Sequence, residues 1–410
     1  MVRVVLINDA SVARGGATGL ATLQARLLRE RGHEVVYAAG DGGGNTELPA
    51  LGVETRHAGG GPLIKLNPAV AATRGFLSAP ARRMVADLVA SDTPETVYHV
   101  HSFAKALTPS IFTALQPVAR RTFVHAHDFF LACPNGGFVD YRQMKPCERA
   151  PLSLDCLSTN CDKRNYAQKL WRSARQAALH RTMPRRAPWA KILLIHPGMR
   201  PYLEKAGYPP EALQALRNPA TAYRAERIEA ERNERLFFIG RLEAEKGIEE
   251  LIDAAAQAGA PLTVIGTGPM EDQLRAAHPD VTFCGWMDRN AIADVVGQAR
   301  ALVMPTRYPE PFGLVAAEAS LSGLPVILSR SALLGPEMEA RGVGVTCDPR
   351  NGAEFVAILR RVMAMPADAI GAMSRKAASG EAALCTTPEQ WIDAQIALFE
   401  AAVAETKRPS

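Results

Sequence analysis

Ala301-Leu302-Val303-Met304, followed a few residues later by Glu310-Pro311-Phe312-Gly313-Leu314-Val315-Ala316-Ala317-Glu318, is the stretch from which the fold can be read. Four apolar residues in a row suit a short strand covered on both faces. Pro311 fits the first position of a helix, and Gly323 stands where a helix of this length would end. Strand, loop and helix in that order place the helix N-terminus at the carboxyl edge of a sheet, where open α/β sheets bind ligands. Free amides and the positive end of the helix dipole favour an anion there. Across the eight residues from Glu310 to Glu318 a helix advances roughly 12 Å, at about 1.5 Å per residue. Carboxylates so far apart do not share a proton or a metal ion. They suit hydroxyls at opposite ends of one long ligand with a diphosphate between them, which is the shape of a nucleotide-sugar.

The same alternation runs through the whole chain. Strand-like runs at 4–7, 34–39, 96–100, 122–125 and 192–195 are followed by a second series at 236–239, 262–265, 281–284, 301–304 and 326–329. Between them, Leu20, Leu23 and Leu27 share a helix face that Gly32 is placed to stop. Ile248, Leu251, Ile252 and Ala255 repeat at helical spacing, as do Ile292, Val295, Val296 and Ala299. Short apolar strands alternating with helices indicate parallel sheets with both faces covered. At 410 residues the chain is long for one core, and two domains of about 200 residues are the default. The polar stretch from Asn218-Pro219 to Arg235 marks the hinge. The expected organisation is α/β: a doubly wound, Rossmann-like domain over 1–217, a second over 218–388, the two facing each other across a cleft, and a helix and tail over 389–410 crossing the hinge.

Composition narrows the class. With 47% hydrophobic and 22% charged residues and a net charge of +5, the chain reads as a soluble globular protein. It has no run of roughly 20 apolar residues for a membrane span. Its start, Met1-Val2-Arg3-Val4-Val5-Leu6-Ile7, reads as a strand and not as a signal peptide. Seven cysteines, an odd number, suit free thiols in a reducing cytoplasm. Four of them, Cys133, Cys147, Cys156 and Cys161, are spaced C-x13-C-x8-C-x4-C. They fit buried unliganded thiols, a structural zinc site if the loop folds on itself, or a redox role. From Lys163 to Lys191 nine Lys and Arg residues occur without an acid, with Trp171 and Trp189 among them. A solvated helix face and a contact with an anionic membrane surface or lipid diphosphate both fit this pattern. Nucleic acid fits poorly, since no binding module accompanies the charge.

Further residues carry chemistry. Arg241 and Lys246 lie in Gly240-Arg241-Leu242-Glu243-Ala244-Glu245-Lys246-Gly247, a loop after a strand, placed to meet a diphosphate or to pair with Glu243 and Glu245. In Arg14-Gly15-Gly16-Ala17-Thr18-Gly19 the glycines let backbone amides approach a phosphate, or simply make a tight turn. Gly266-Thr267-Gly268-Pro269 is equally two-sided. His125-Ala126-His127-Asp128 ends a strand, where His127 can hydrogen-bond a sugar or move a proton; His99 and His101 read as structural. No Asp-x-Asp occurs, so a metal bridge to a diphosphate has no obvious ligands and the cations would take its place.

With these motifs the chain resembles a retaining glycosyltransferase of the GT-B fold, in the large family 4. The resemblance covers nearly the whole length and is strongest from Phe238 to Ile327. It implies that Glu318 binds the nucleotide ribose, while Glu310 and the amides of Phe312, Gly313 and Leu314 hold the sugar. It further implies that Arg241 and Lys246, with Gly240 beside them, neutralise the departing diphosphate, that Gly15 and Gly16 offer it amides, and that His127 contacts the donor sugar. No cofactor or metal is implied; the nucleoside-diphosphate sugar is a substrate. The run His127-Asp128…Cys133-Pro134…Cys147…Cys156…Asn160-Cys161-Asp162 resembles a subgroup of bacterial cell-surface polysaccharide enzymes. Asn218-Pro219 departs from the Asn-Gly turn of many relatives. A cytoplasmic enzyme, peripheral at the inner face of the membrane and using a lipid-linked or membrane-presented glycan acceptor, is the resulting expectation. An NAD(P)-dependent oxidoreductase, a nucleotide-sugar epimerase and a non-catalytic glycan- or nucleotide-binding protein are the alternatives. The first lacks a full dinucleotide fingerprint and leaves both glutamates without a role.

Overall fold

The computed structural model describes residues 1–13, 15–63 and 66–407, and within the helix Pro68–Arg74 the side chains of residues 68 and 69 fall outside the description. Arg14, part of the first glycine motif, and residues 408–410 of the tail also lie outside it. The chain forms two compact units. One comprises 1–137, 148–217 and 388–410, and the other 138–147 and 218–387.

In the first unit a seven-stranded sheet runs in the order Glu54–His57, Glu34–Ala39, Arg3–Asn8, Thr96–Val100, Thr122–Ala126, Lys191–Leu194 and Leu213–Ala215. Every pairing in it is parallel. Thr96–Val100 and Thr122–Ala126 are buried at every position, Thr96, His99, Thr122 and His125 included, as strands covered on both faces are. Leu20, Leu27 and Leu28 of the helix Gly16–Glu30 pack on this sheet with Val4, Leu6, Tyr37 and Phe123. The C-terminal helix Pro388–Lys407 adds Trp391, Ile392 and Phe399 to the same core. Gly32, at φ 81°, follows the end of the first helix as the sequence suggested.

The second unit holds a six-stranded parallel sheet, ordered Thr282–Gly285, Leu262–Ile265, Arg235–Ile239, Ala299–Met304, Val326–Ser329 and Gly344–Cys347. The strand order reverses between Arg235–Ile239 and Ala299–Met304, and in the first sheet between Arg3–Asn8 and Thr96–Val100. In doubly wound sheets ligands bind beyond the carboxyl ends of the strands at such a reversal. The loops at 240–247 and 305–313 leave the sheet at this point. They meet tightly: Gly247 has φ 71°, and a Cβ there would lie 2.1 Å from the Pro305 carbonyl oxygen. The segment 138–147 also belongs to this unit and carries the two-stranded hairpin of Val139–Asp140 and Lys145–Pro146.

The opening stretch differs from its reading in one respect. The helix is Leu314–Leu321, so it starts after Pro311, at a left-handed Gly313 (φ 72°) that serves as its N-cap. Pro311 sits in the approach loop, and Glu310 and Glu318 are joined by a turn and only the first part of a helix. Its other end is as read, with Gly323 left-handed at φ 86° and the Leu324 amide bonded to the Ala319 carbonyl. Among the described residues no helix is long and apolar enough to cross a membrane.

Candidate active-site residues

In the second unit the sequence-chosen residues converge. The Lys246 ammonium lies 2.5 Å from Glu310 Oε2 and donates to the Tyr308 hydroxyl at 2.7 Å, with the Tyr308 ring 5.0 Å from the charge. Tyr308 in turn donates to the same Glu310 oxygen. Burial on its own would raise the Glu310 carboxyl. Lys246 and the tyrosine hydroxyl outweigh it and hold the group below the usual carboxylate range. Glu310 is therefore an anion at neutral pH, while burial and that anion push the Tyr308 phenol well up and keep it a donor.

Gly313 runs beside Glu310: a Cβ on Gly313 would lie 3.8 Å from Glu310 Cγ and 2.7 Å from the Met304 methyl. Among the described residues the backbone amides of Gly313, Leu314 and Val315 have no protein acceptor, since the first amide bonded in this turn is that of Ala316, to the Gly313 carbonyl. A half-buried ammonium beside an open helix N-terminus is a place for an anion. Phe312 is 3% exposed and anchors the approach loop.

Glu318, further along the helix, accepts from Arg289 at 2.5 Å. Arg289 also bonds the Thr221 and Ala222 carbonyls, and its guanidinium lies 5.2 Å from the Tyr223 ring centroid. Burial raises the Glu318 carboxyl, and Arg289 and the Tyr223 hydroxyl only partly offset this. Arg241 is 68% exposed and reaches Glu243 at 2.8 Å. Of its two expected roles the pairing with Glu243 is the one this geometry shows, although Arg241 is near enough to Glu310 to lower its carboxyl. Gly240 is the first residue beyond its strand, and its amide bonds the Ile265 carbonyl. Tyr308, Arg289, Tyr223 and Tyr141 of the hairpin, whose hydroxyl influences Tyr308, were not singled out from sequence. No motif spacing points to them, because they come from separate loops.

In the first unit Gly15 is extended and Gly16 opens the helix Gly16–Glu30; a Cβ on either would meet nothing within 4 Å. His127 follows the strand Thr122–Ala126 and joins a line of imidazoles. Its Nε2 lies 2.9 Å from His101 Nδ1, and its ring stacks on His125 with centroids 4.3 Å apart. The direction of this line can be derived. Gln24 Nε2 donates to Gln395 Oε1 and faces His99 Nδ1 at 2.9 Å, so Gln24 Oε1 is left to accept from His101 Nε2–H. The lone pair of His101 is then at Nδ1, and His127 must carry its proton on Nε2. Its Nδ1 remains an acceptor. Burial lowers the pKa of His127 to about 3 and those of His99, His101 and His125 well below the ordinary value, so all four are neutral.

His99, His101 and His125 bring ring nitrogens within 4.8 Å of one another. The His99 and His125 rings are nearly parallel, at 16°, and both nitrogens of His101 are engaged. Lone pairs lying in parallel ring planes do not converge on one ion, so the arrangement fits a stack better than a metal centre.

The cysteines divide between the units. Cys133, Cys156 and Cys161 are buried in the first, and Cys147 is in the second. Lys169, 1% exposed, donates to Cys156 Sγ at 3.2 Å. Burial would lower its pKa, but the sulfurs of Cys161, Cys156 and Cys133 outweigh this and raise it. The positive charge beside these sulfurs is the Lys169 ammonium, and a zinc ion would have to displace it. The basic stretch is likewise not one solvated face. Lys169 is buried, Arg185 bonds the Ala206 carbonyl, and Trp189 is 6% exposed with its indole N–H on the Pro184 carbonyl. Lys163, Arg164, Arg181 and Arg186 are the exposed members.

Residues 220–379 match the family model described as Glycosyl transferases group 1. Over 168 residues the chain is 36% identical to a glycogen synthase of Mycobacterium tuberculosis, a match spanning 38% of this chain and 39% of the relative. It is 33% identical over 139 residues to a GDP-mannose-dependent alpha-(1-6)-phosphatidylinositol dimannoside mannosyltransferase of the same species, spanning 32% of this chain and 36% of that one. The chain thus matches less than two fifths of the length of these relatives. Among solved structures, sucrose-phosphate synthase from Thermosynechococcus elongatus superposes with a TM-score of 0.70 at 17% identity, covering 98% of this chain and 100% of that one. Anabaena Alr3699/HepE in complex with UDP and glucose gives 0.68 at 17% identity, with the same coverage. The fold is GT-B, and the match to the glycosyl transferases group 1 model lies within its second unit.

Proposed function

We propose that this protein is a retaining, metal-independent glycosyltransferase. It would move a hexose-type sugar from a nucleoside-diphosphate sugar to a glycan or lipid-linked acceptor in cell-envelope or exopolysaccharide synthesis. The observation that carries this reading is the Lys246–Glu310–Tyr308 cluster beside the open amides of Gly313 and Leu314, all inside the matched domain.

In this reading Glu318 takes the ribose hydroxyls, and its two oxygens retain acceptor capacity beside Arg289. Glu310 and the amides at 312–314 hold the sugar. Lys246, with Arg241 swung from Glu243, meets the diphosphate. Charge grows on the diphosphate as it leaves, so fixed cations stabilise the transition state more than the bound substrate. The acceptor hydroxyl attacks the face the leaving group vacates and passes its proton to a phosphate oxygen. His127 and the Gly15–Gly16 turn are assigned as the first unit's contacts to the donor, His127 accepting a sugar hydroxyl proton at Nδ1. The protein would work in the cytoplasm at the inner face of the membrane, with the exposed Arg164, Arg181 and Arg186 toward anionic lipid.

The test is nucleoside diphosphate release from a panel of nucleotide-sugars, with the product's anomeric configuration read by NMR. Transfer with retention supports the reading. Transfer with inversion removes the retaining assignment. Reduction of NAD with no sugar transfer would replace it with the oxidoreductase.

A further inference from the structure

Beyond the carboxyl ends of three strands of the first sheet lies a cavity of about 620 Å³ that the donor chemistry leaves unused. Loops following Glu54–His57, Thr96–Val100 and Thr122–Ala126 supply Leu63, Leu66, Phe103 and Phe130, and the helix Tyr166–Thr182 closes it with Trp171. Its size suits a small organic ligand. Lys105, Arg164, Arg172 and Arg175 also line it, and no carboxylate does.

The four cations are not equivalent. Arg172 is paired with the buried Asp162 at 3.2 Å. Arg175 has no ion pair among the described residues: its Nε donates to the Gly75 carbonyl at 2.9 Å, an Nη2 reaches the Phe103 carbonyl at 3.5 Å, and its charge lies 5.8 Å from the Trp171 ring centroid. Burial lowers its pKa to about 10, which leaves it cationic at neutral pH. Its hydrogen-bond acceptors are neutral carbonyls, and the acid that acts on it, Asp9, makes no ion pair with it among the described residues, while Arg172 repels it; an anion in the pocket would offset the cost of desolvating this guanidinium. Exposed apolar residues adjoin the lining in sequence: Val70 (42% exposed) precedes Ala71, Tyr166 (40%) precedes Ala167, and Leu170 (44%) precedes Trp171. A chain longer than the pocket would find apolar contact along its way out.

From this geometry we infer that the cavity is the acceptor's lipid subsite, and that the acceptor is carried on a prenyl or alkyl phosphate. The phosphate would sit on Arg175 and Lys105, the first hydrocarbon units against Leu63, Leu66 and Trp171, and the remaining chain along the exposed apolar rim. This deepens the glycosyltransferase reading and rests on it for the word acceptor; the binding itself does not.

Titration calorimetry of the full chain with farnesyl diphosphate, farnesol and inorganic pyrophosphate, all below micelle-forming concentrations, tests it. Farnesyl diphosphate should saturate one site at least tenfold tighter than either partial probe. Arg175→Gln and Leu66→Asp should each weaken it at least tenfold without altering the thermal shift given by the preferred nucleoside diphosphate. If Arg175→Gln does not fold, Leu66→Asp and the comparison of probes still decide. Farnesol binding as tightly as the diphosphate, pyrophosphate binding as tightly, or no saturable binding would each overturn the proposal. Farnesyl diphosphate binding in a protein that no nucleoside diphosphate stabilises would keep the site and remove the transfer reading.

Discussion

Lys246 and His127 show how neighbours set what a side chain can do. Lys246 is held and oriented by Glu310 and Tyr308. Lys246→Ala should therefore lower turnover by about 10²- to 10³-fold, the scale expected for removing a fixed charge from a developing anion. Steady-state kinetics checks this on a variant with an unchanged melting midpoint; near-normal turnover would exclude the role. For His127, the Gln24–His101 line puts the proton on Nε2. Nitrogen-15 NMR should find that tautomer in the wild type and a mixture in Gln24→Leu, whereas an Nδ1–H form in the wild type would reverse the derived direction. The sequence made Lys246, Glu310 and His127 visible because each follows a strand in a short motif. Gln24, Arg289 and Tyr308 were not visible, since a hydrogen-bond partner brought in from another element leaves no local spacing. The run of cations misled for a related reason. Periodicity cannot tell the buried Lys169 from the exposed Arg164 when both lie in an uninterrupted basic stretch.

Short elements fold around a few fixed backbone points. Gly247 and Gly313 both have positive φ, but a Cβ at Gly247 meets the Pro305 backbone, and one at Gly313 meets the movable end of Met304. Each Ala substitution loses about 1–2 kcal/mol to the left-handed conformation alone. Gly247→Ala should cost more than that, because the loops at 240–247 and 305–313 must part. Urea unfolding of the two variants orders them, and an equal or smaller loss for Gly247→Ala would contradict the close approach. Strands such as Glu34–Ala39 and Leu262–Ile265 were legible residue for residue, being apolar runs in the middle of sheets. Glu54–His57 was not, because it is a largely exposed edge strand with no apolar run. The helix after Glu310 was placed too early because Pro311 mimics a helix start. Gly313 sets the real one, in a conformation that sequence alone does not disclose.

For the molecule as a whole, the GT-B architecture follows from two alternating strand–helix series, and both series are legible in the sequence. What the series did not reveal is the buried imidazole stack in the first unit. Three buried histidines and the half-buried His127, all kept neutral by desolvation, bind fewer protons folded than unfolded. Their contribution is fully present above about pH 6.5, the unfolded value, and is lost as pH falls below it toward the depressed folded values. At pH 5 the loss is up to about 2 kcal/mol per imidazole. The urea midpoint should drop between pH 7.5 and 5, and His125→Leu should flatten the drop; an unchanged profile in the variant would show that His125 does not contribute. The central claim is that the second unit holds a nucleoside diphosphate through Glu318 and its neighbours. A thermal-shift panel of UDP, GDP, ADP, TDP and NAD on wild type and Glu318→Ala tests this most directly. At about 100 times its dissociation constant a ligand stabilises the native state by about 2.7 kcal/mol. One nucleoside diphosphate should raise the wild-type midpoint and leave that of Glu318→Ala unmoved. A shift with NAD alone, or an equal shift in both proteins, would contradict the assignment.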